Sequence, residues 1–105
     1  MINTILSGVP HRQGRFLKPP AETYAVYIDN LTIDAADRVG GKLPGIVTHD
    51  VMIEVYEPSP DDKTEAAIEA AMNAQGLSWT KQDRYWLPDV QRYQVIYEFT
   101  YTTKT

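Results

Sequence analysis

The feature that most constrains this chain is an unbroken alternation from Ile46 to Tyr56. Val47, His49, Val51, Ile53 and Val55 fall on one side of an extended backbone, and Thr48, Asp50, Met52, Glu54 and Tyr56 on the other. Successive side chains of a strand point to opposite faces, whereas a helix would scatter these two sets around its circumference. A half-buried strand is therefore predicted over residues 46–56. Gln91 to Thr103 repeats the pattern, with Tyr93, Val95, Tyr97, Phe99 and Tyr101 on one face. Tyr24-Ala25-Val26-Tyr27-Ile28 is a third strand, aromatic and β-branched, closed by the turn chemistry of Asp29-Asn30. Leu77 to Trp86 reads as a fourth, with Trp79, Lys81, Asp83 and Tyr85 alternating against Thr80, Gln82 and Arg84, before a turn at Pro88-Asp89.

One segment carries helical spacing instead. Ser59 is the expected N-cap, Pro60 suits the first helical position, and Asp61 and Asp62 face the positive end of the helix dipole. Ala67, Ile68, Ala71, Met72 and Gln75 form one stripe, Glu65 and Glu69 point away from it, and Gly76 is the residue expected just past the end. Met1 to Leu6 allows about two helical turns, stopped by Ser7-Gly8 and Pro10. Residues 11–20 read as a loop, locally basic through His11, Arg12, Arg15 and Lys18. Leu31-Thr32-Ile33 can be a strand, while Gly40, Gly41, Pro44 and Gly45 make 34–45 an expected mobile loop. The fold class is α+β: an antiparallel or mixed sheet of about four strands, one main helix on a face and a short N-terminal helix. The 105 residues form a single expected domain, 1–105.

Several function classes are hard to build from this inventory. There is no cysteine, so disulfides, thiolate metal sites and cysteine nucleophiles are excluded, in keeping with a reducing cytoplasm. A net charge of −4 argues against a dedicated nucleic-acid binder. No apolar run approaches the roughly 20 residues of a membrane span, and Met1-Ile2-Asn3-Thr4 lacks the features of a signal peptide. His11 and His49 have no partners at metal-ligand spacing; His49 reads as a half-buried, hydrogen-bonded strand residue. Gly40-Gly41-Lys42 is not a phosphate loop, since Leu43 replaces the hydroxyl residue and Pro44-Gly45 blocks the helix that should follow. Asp34/Asp37 reads as a solvated pair, and Ser7, Ser59 and Ser78 lie in no nucleophile elbow. No enzyme activity, catalytic residue, metal or cofactor is expected. The aromatic residues are the unusual feature. Most belong to core and cross-strand pairs, but Tyr27, Tyr56 and Trp86 fall outside the clearest core faces and are expected to meet another chain.

The ordered series Tyr24–Asp29, Asp37, His49 with Ile53-Glu54-Val55-Tyr56, the alanine-rich helix, Trp79-Thr80-Lys81, Tyr85-Trp86 and Tyr93–Phe99 resembles small proteins of phage and prophage head–tail gene clusters. The family is that of tail completion proteins, which includes tail terminators and tail-to-head joining proteins, and the likeness spans residues 9–105. It implies an α+β structural protein that assembles as a hexameric ring, caps the tail tube and joins it to the head. Its implied partners are copies of itself, the tail tube protein and a head-completion or connector protein. DNA is passing cargo, and the implied location is the virion neck, reached by assembly in the host cytoplasm. Subunit and partner contacts are expected from Tyr27, Tyr56, Trp86, Asp37, Gly40, Gly41 and Lys42. Family members often begin with a longer helix than Met1–Leu6. The competing reading is a small cytoplasmic accessory domain that binds a peptide or protein by strand addition.

Overall fold

The computed structural model describes residues 1–33 and 46–104. The expected loop at 34–45, with Asp37, Gly40, Gly41 and Lys42, lies outside the described residues. Among the described residues two helices and six strands follow in the order α1 (Ile2–Ile5), β1 (His11–Gln13), β2 (Tyr24–Ile33), β3 (Ile46–Glu57), α2 (Asp62–Ala74), β4 (Trp79–Lys81), β5 (Tyr85–Leu87) and β6 (Arg92–Lys104). The strands form one mixed sheet, β1-β2-β3-β6-β4, with β5 also paired to β6. Only β1 runs parallel to its neighbour; β2, β3, β6, β4 and β5 pair antiparallel.

β3 and β6 arise as the alternation predicts. β2 runs on through the turn expected at Asp29-Asn30 and takes in Leu31-Thr32-Ile33, because all ten of its residues pair with β3 from Tyr56 to Val47. Register aligns the apolar faces of the three. Ala25, Val55 and Val95 lie in one row, Tyr27, Ile53 and Tyr97 in the next, and Asp29, Val51 and Phe99 in a third. The helix covers this face. Ile68 and Met72 are fully buried in one cluster with Ile53, Val55, Val95 and Tyr97, and Ile5 and Leu6 of the N-terminal segment close its end.

Four further expectations need correction. Residues 11–13 are not loop but an edge strand, which Pro10 and Gly14 clamp to β2 through the bonds Ala25 N–H to the Pro10 carbonyl and Gly14 N–H to the Tyr27 carbonyl, both 2.9 Å. The fourth strand is two strands, since the chain leaves the ladder between Lys81 and Tyr85. Trp79 sits opposite Phe99 on the helix face, whereas Tyr85 sits opposite Gln94 on the other face, which a continuous strand would not allow. The helix N-cap is Asp61, not Ser59, because its carboxylate accepts from the Thr64 amide at 3.0 Å and from the Thr23 hydroxyl at 2.7 Å. The buried stripe is Glu65, Ile68 and Met72, while Ala67 and Gln75 are exposed.

Candidate functional site

The buried glutamates explain why the helix turns that face inward. Glu57, at the end of β3, is 0% exposed and Glu65 3%. Their cations come from the β4–β5 link. The Arg84 guanidinium reaches Glu65 at 2.6 Å, Asp62 at 2.8 Å and Glu57 at 3.3 Å, and Lys81 reaches Glu65 at 2.8 Å and Glu69 at 2.7 Å. Burial, then a hydrogen bond to Glu65, pushes the Glu57 carboxyl up to about 8, with Arg84 opposing. Oε1 of Glu57 is occupied by the Asp61 amide and Arg84, which leaves Oε2 without a partner unless it carries a proton. The bond between the two carboxyls acts on Glu65 in the opposite sense, favouring its ionised form. Burial opposes ionisation of Glu65, but the hydrogen bonds from Glu57, Arg84 and Lys81 outweigh it and hold that carboxyl below its usual range. Each group has an intramolecular partner, so the cluster fastens the β4–β5 link to α2.

His49 makes a second polar group. Its Nδ1 lies 3.1 Å from both Asp29 oxygens, its Nε2 lies 2.9 Å from the Thr103 hydroxyl, and its ring stacks on Tyr101 at 4.3 Å. A carboxylate, an imidazole and a hydroxyl in a line resemble a hydrolytic triad. However, acyl transfer also needs paired amide donors around the reacting carbonyl. Thr103 instead sits in the ladder opposite Val47 on an extended strand. The chain of bonds ties β2, β3 and β6 together beyond the end of the helix. Among the described residues no group of three or more His, Cys, Asp or Glu can hold a metal ion, and no helix is long and apolar enough to cross a membrane.

The remaining surface is the sheet face opposite α2 and the sheet edges. Tyr24, Tyr56, Gln94 and Tyr85 form a row across that face. Tyr24 and Tyr56 stack with ring centres 5.1 Å apart, and Gln94 donates to the Tyr56 hydroxyl, which donates to Glu54. Burial, then the bond to Glu54, raises the Tyr56 hydroxyl to about 12. Phe16 packs edge-on against Tyr24 at 5.4 Å, so residues after β1 cover the start of this row. At the other end Tyr85 is 65% exposed.

The expected contact residues therefore separate. Tyr56 lies on the open face. Tyr27 does not point outward: it lies on the helix face, between Gln13 and Ile53, and packs on the core cluster. Trp86 is 43% exposed, edge-on to Tyr93 at the border of the sheet. The structure does not bring the three into one patch.

β3 is central, paired along its whole length by β2 and β6. β1 covers β2 only from Ala25 to Tyr27, and β4 and β5 cover β6 only at Arg92–Gln94 and Tyr97–Phe99. Among the described residues, nothing pairs with the outer edge of β2 beyond Tyr27 or of β6 beyond Phe99. Ile28 is 40% and Leu31 61% exposed on this stretch. Sequence reading missed these positions. Their signal is the length mismatch between long strands and the short segments available to cover them.

No family model matches the sequence, and no curated protein matches it. Among solved structures the fold is similar to a chain in the virion of a native gene transfer agent particle. That chain is 15% identical, with a TM-score of 0.59, and the match covers 99% of this chain and 85% of that one. At this identity the likeness establishes a shared α+β fold.

Proposed function

We propose that this chain is a structural component of a phage-like particle, a tail completion protein that caps the tail tube and joins it to the head as a hexameric ring. The observation that carries the reading is the fold likeness to a virion chain over 99% of the residues. The independent resemblance in residue order to tail completion proteins points the same way. The chemistry is compatible. The conspicuous charged groups near α2 are consumed in internal pairs, and a net charge of −4 suits a passage that must not grip DNA phosphates. The protein acts without catalysis, metal or cofactor. Its partners are its own copies, the tail tube protein and a head-side connector.

The test is to add purified protein to tail tubes assembled without their terminator and to image them by electron microscopy. Rings at one tube end are the expected result. Tubes that stay bare at saturating protein would overturn the reading. The uncovered strand edges favour a second reading, a cytoplasmic module that binds an extended peptide. Light scattering after size-exclusion chromatography separates the two, since a ring gives about six subunits and a peptide binder remains small.

A further inference from the structure

We infer that two copies of this chain pair face to face across the sheet face opposite α2, each laying the Arg15–Lys18 segment of its β1–β2 link into a trough on the other. The contact does not depend on the ring reading and goes beyond it. The trough is an open cavity of about 520 Å³ lined by Asn30, Asp50, Met52, Thr80, Glu98 and Thr100. Register brings these residues together. Asn30, Asp50 and Thr100 share one row, and Ile28, Met52, Glu98 and Thr80 share the next. Met52 and Ile28 give the floor its apolar part, and Ile28 is 40% exposed. Asp50 accepts from the Thr100 hydroxyl at 2.7 Å, and Glu98 faces the Gln82 amide at 3.5 Å. Among the described residues, neither carboxylate has a cation within ion-pair distance.

The complement rises from the same face, beside the trough. Residues 11–19 carry Arg12, Arg15 and Lys18 and no acid. Among the described residues, none of these cations has a carboxylate within ion-pair distance. Arg12 lies next to Val26 in the sheet, and Phe16 pins the following segment to the face by packing on Tyr24. Arg15, Phe16 and Pro19 border the hollow over Tyr24, Val26 and Tyr56. Leu17 is 78% exposed, with Arg15 and Lys18 to either side of Phe16-Leu17. An apolar side chain flanked by cations thus matches an apolar floor flanked by carboxylates. The two halves are displaced along the strands: the segment lies over the Tyr24 and Val26 rows, and the trough over the Ile28 and Asn30 rows. A two-fold axis in the plane between two such faces, crossing the strands between the Val26 and Ile28 rows, reverses the row order. Each segment then meets its partner's trough, which is the self-complementarity that a two-fold contact requires. The segment stands above its own face where the trough is sunk, so the two faces interlock. A basic peptide would fill the trough alone and leave Leu17 in water, whereas a second copy satisfies both halves.

Charge reversal tests the pairing from both sides. Asp50→Lys/Glu98→Lys reverses the trough, and Arg15→Glu/Lys18→Glu reverses the segment; Asp50, Arg15 and Lys18 are exposed and Glu98 is half-buried. Each variant is first shown to melt with wild-type protein. In sedimentation equilibrium at low salt, wild type should weigh twice as much as either variant alone, whether the unit that doubles is one chain or one ring. The dissociation constant of the doubling should rise at least about tenfold in each variant, because two-fold symmetry turns every attractive pair into a repulsion twice over. An equal mixture of the two variants should restore most of the loss, since every contact again joins opposite charges. Should a reversed variant fail to melt with wild type, wild type alone decides. Raising salt from about 10 mM to about 1 M shortens the screening length from about 30 Å to about 3 Å and should halve the mass. No doubling of wild type at low salt up to the solubility limit, or a mixture that associates no better than either variant alone, overturns the inference. Wild type that caps tubes but never doubles would sink the face pairing and leave tail completion standing. Chains that double yet never bind tubes would do the reverse.

Discussion

The Tyr97 hydroxyl, at the centre of β6, donates a 2.7 Å hydrogen bond to Glu69 Oε2 on α2. Burial, then this bond, raises the tyrosine hydroxyl well above its ordinary range. The carboxylate ties the middle of the sheet to the helix, one turn from the apolar contacts of Ile68 and Met72. Helix position is therefore set by apolar and polar contacts together.

Met72 is 0% exposed in the cluster formed with Ile53, Val55 and Tyr97. Met72→Ala should destabilise the fold by about 2–5 kcal/mol, through lost transfer energy and the cavity left behind. A denaturant midpoint within error of wild type would show that α2 does not seat on this face.

Glu57 gives a pH dependence of unusual sign for a carboxyl. Its folded-state value is raised to about 8, so its contribution is complete below the ordinary carboxylate range and is lost as pH rises toward 8. Glu65, Glu69 and Asp61 are lowered, so their contributions are lost as pH falls through the carboxylate range. Stability should therefore decline on both sides of mildly acidic pH. Glu57→Gln keeps a donor toward Glu65 and an acceptor for the Asp61 amide, and should remove most of the alkaline decline. Urea midpoints from pH 5 to 8.5 for both proteins decide this; parallel curves would mean that Glu57 is ionised throughout.

Arg84 bridges three carboxylates, two of them buried. Arg84→Ala should cost toward the lower end of about 3–5 kcal/mol, since the guanidinium is partly exposed while Glu65 loses its closest cation. Arg84→Lys should recover little, because one ammonium group cannot span all three. Thermal melts compared with wild type provide the check, and full recovery by lysine would refute the bridging role.

Asp61 caps α2 and also holds Thr23, which leads into β2. Asp61→Ala should cost about 1–2 kcal/mol, at the upper part of the usual range for a cap. Thr23→Val should reproduce only part of that loss, and thermal melts of the double variant should show less than the sum of the two.

Trp86 and Tyr27 should behave oppositely. Trp86→Ala removes a 43% exposed ring and should change fold stability by under about 1 kcal/mol while weakening assembly. Tyr27→Ala should lower the melting temperature instead, because its ring packs on the core. Light scattering alongside melts separates the two effects.

β3, β6 and the main helix were legible because each carries its own period over ten or more residues. Of β2 only Tyr24–Ile28 was legible, since Asp29 and Asn30 read as a turn and only their pairing with Val51 and Asp50 keeps them in the strand. β1 was not. His11-Arg12-Gln13 has no alternation to read, and its pairing is supplied by the Pro10 and Gly14 contacts with β2. The inward turn of Glu65 was hidden for a related reason. A glutamate reads as exposed unless its partner is known, and Arg84 and Lys81 lie 19 and 16 residues away. The same remote pairing pulls residues 82–84 off the ladder and splits the expected fourth strand. Tyr27 was misplaced because its neighbours in the row, Ile53 and Tyr97, come from strands that only register identifies.

The place of β6 has a consequence for how the chain is made. It supplies Val95, Tyr97 and Phe99 to the core and pairs with β3, β4 and β5, yet it is translated after every other described element. A nascent chain that ends at Leu87 can form α2 and the β2–β3 pair but has no central partner to lay the helix upon. Completion of the fold is thereby deferred until β6 has emerged from the ribosome. Until then Ile53 and Val55 stay open to water and to chaperones, and subunits cannot associate before they are whole.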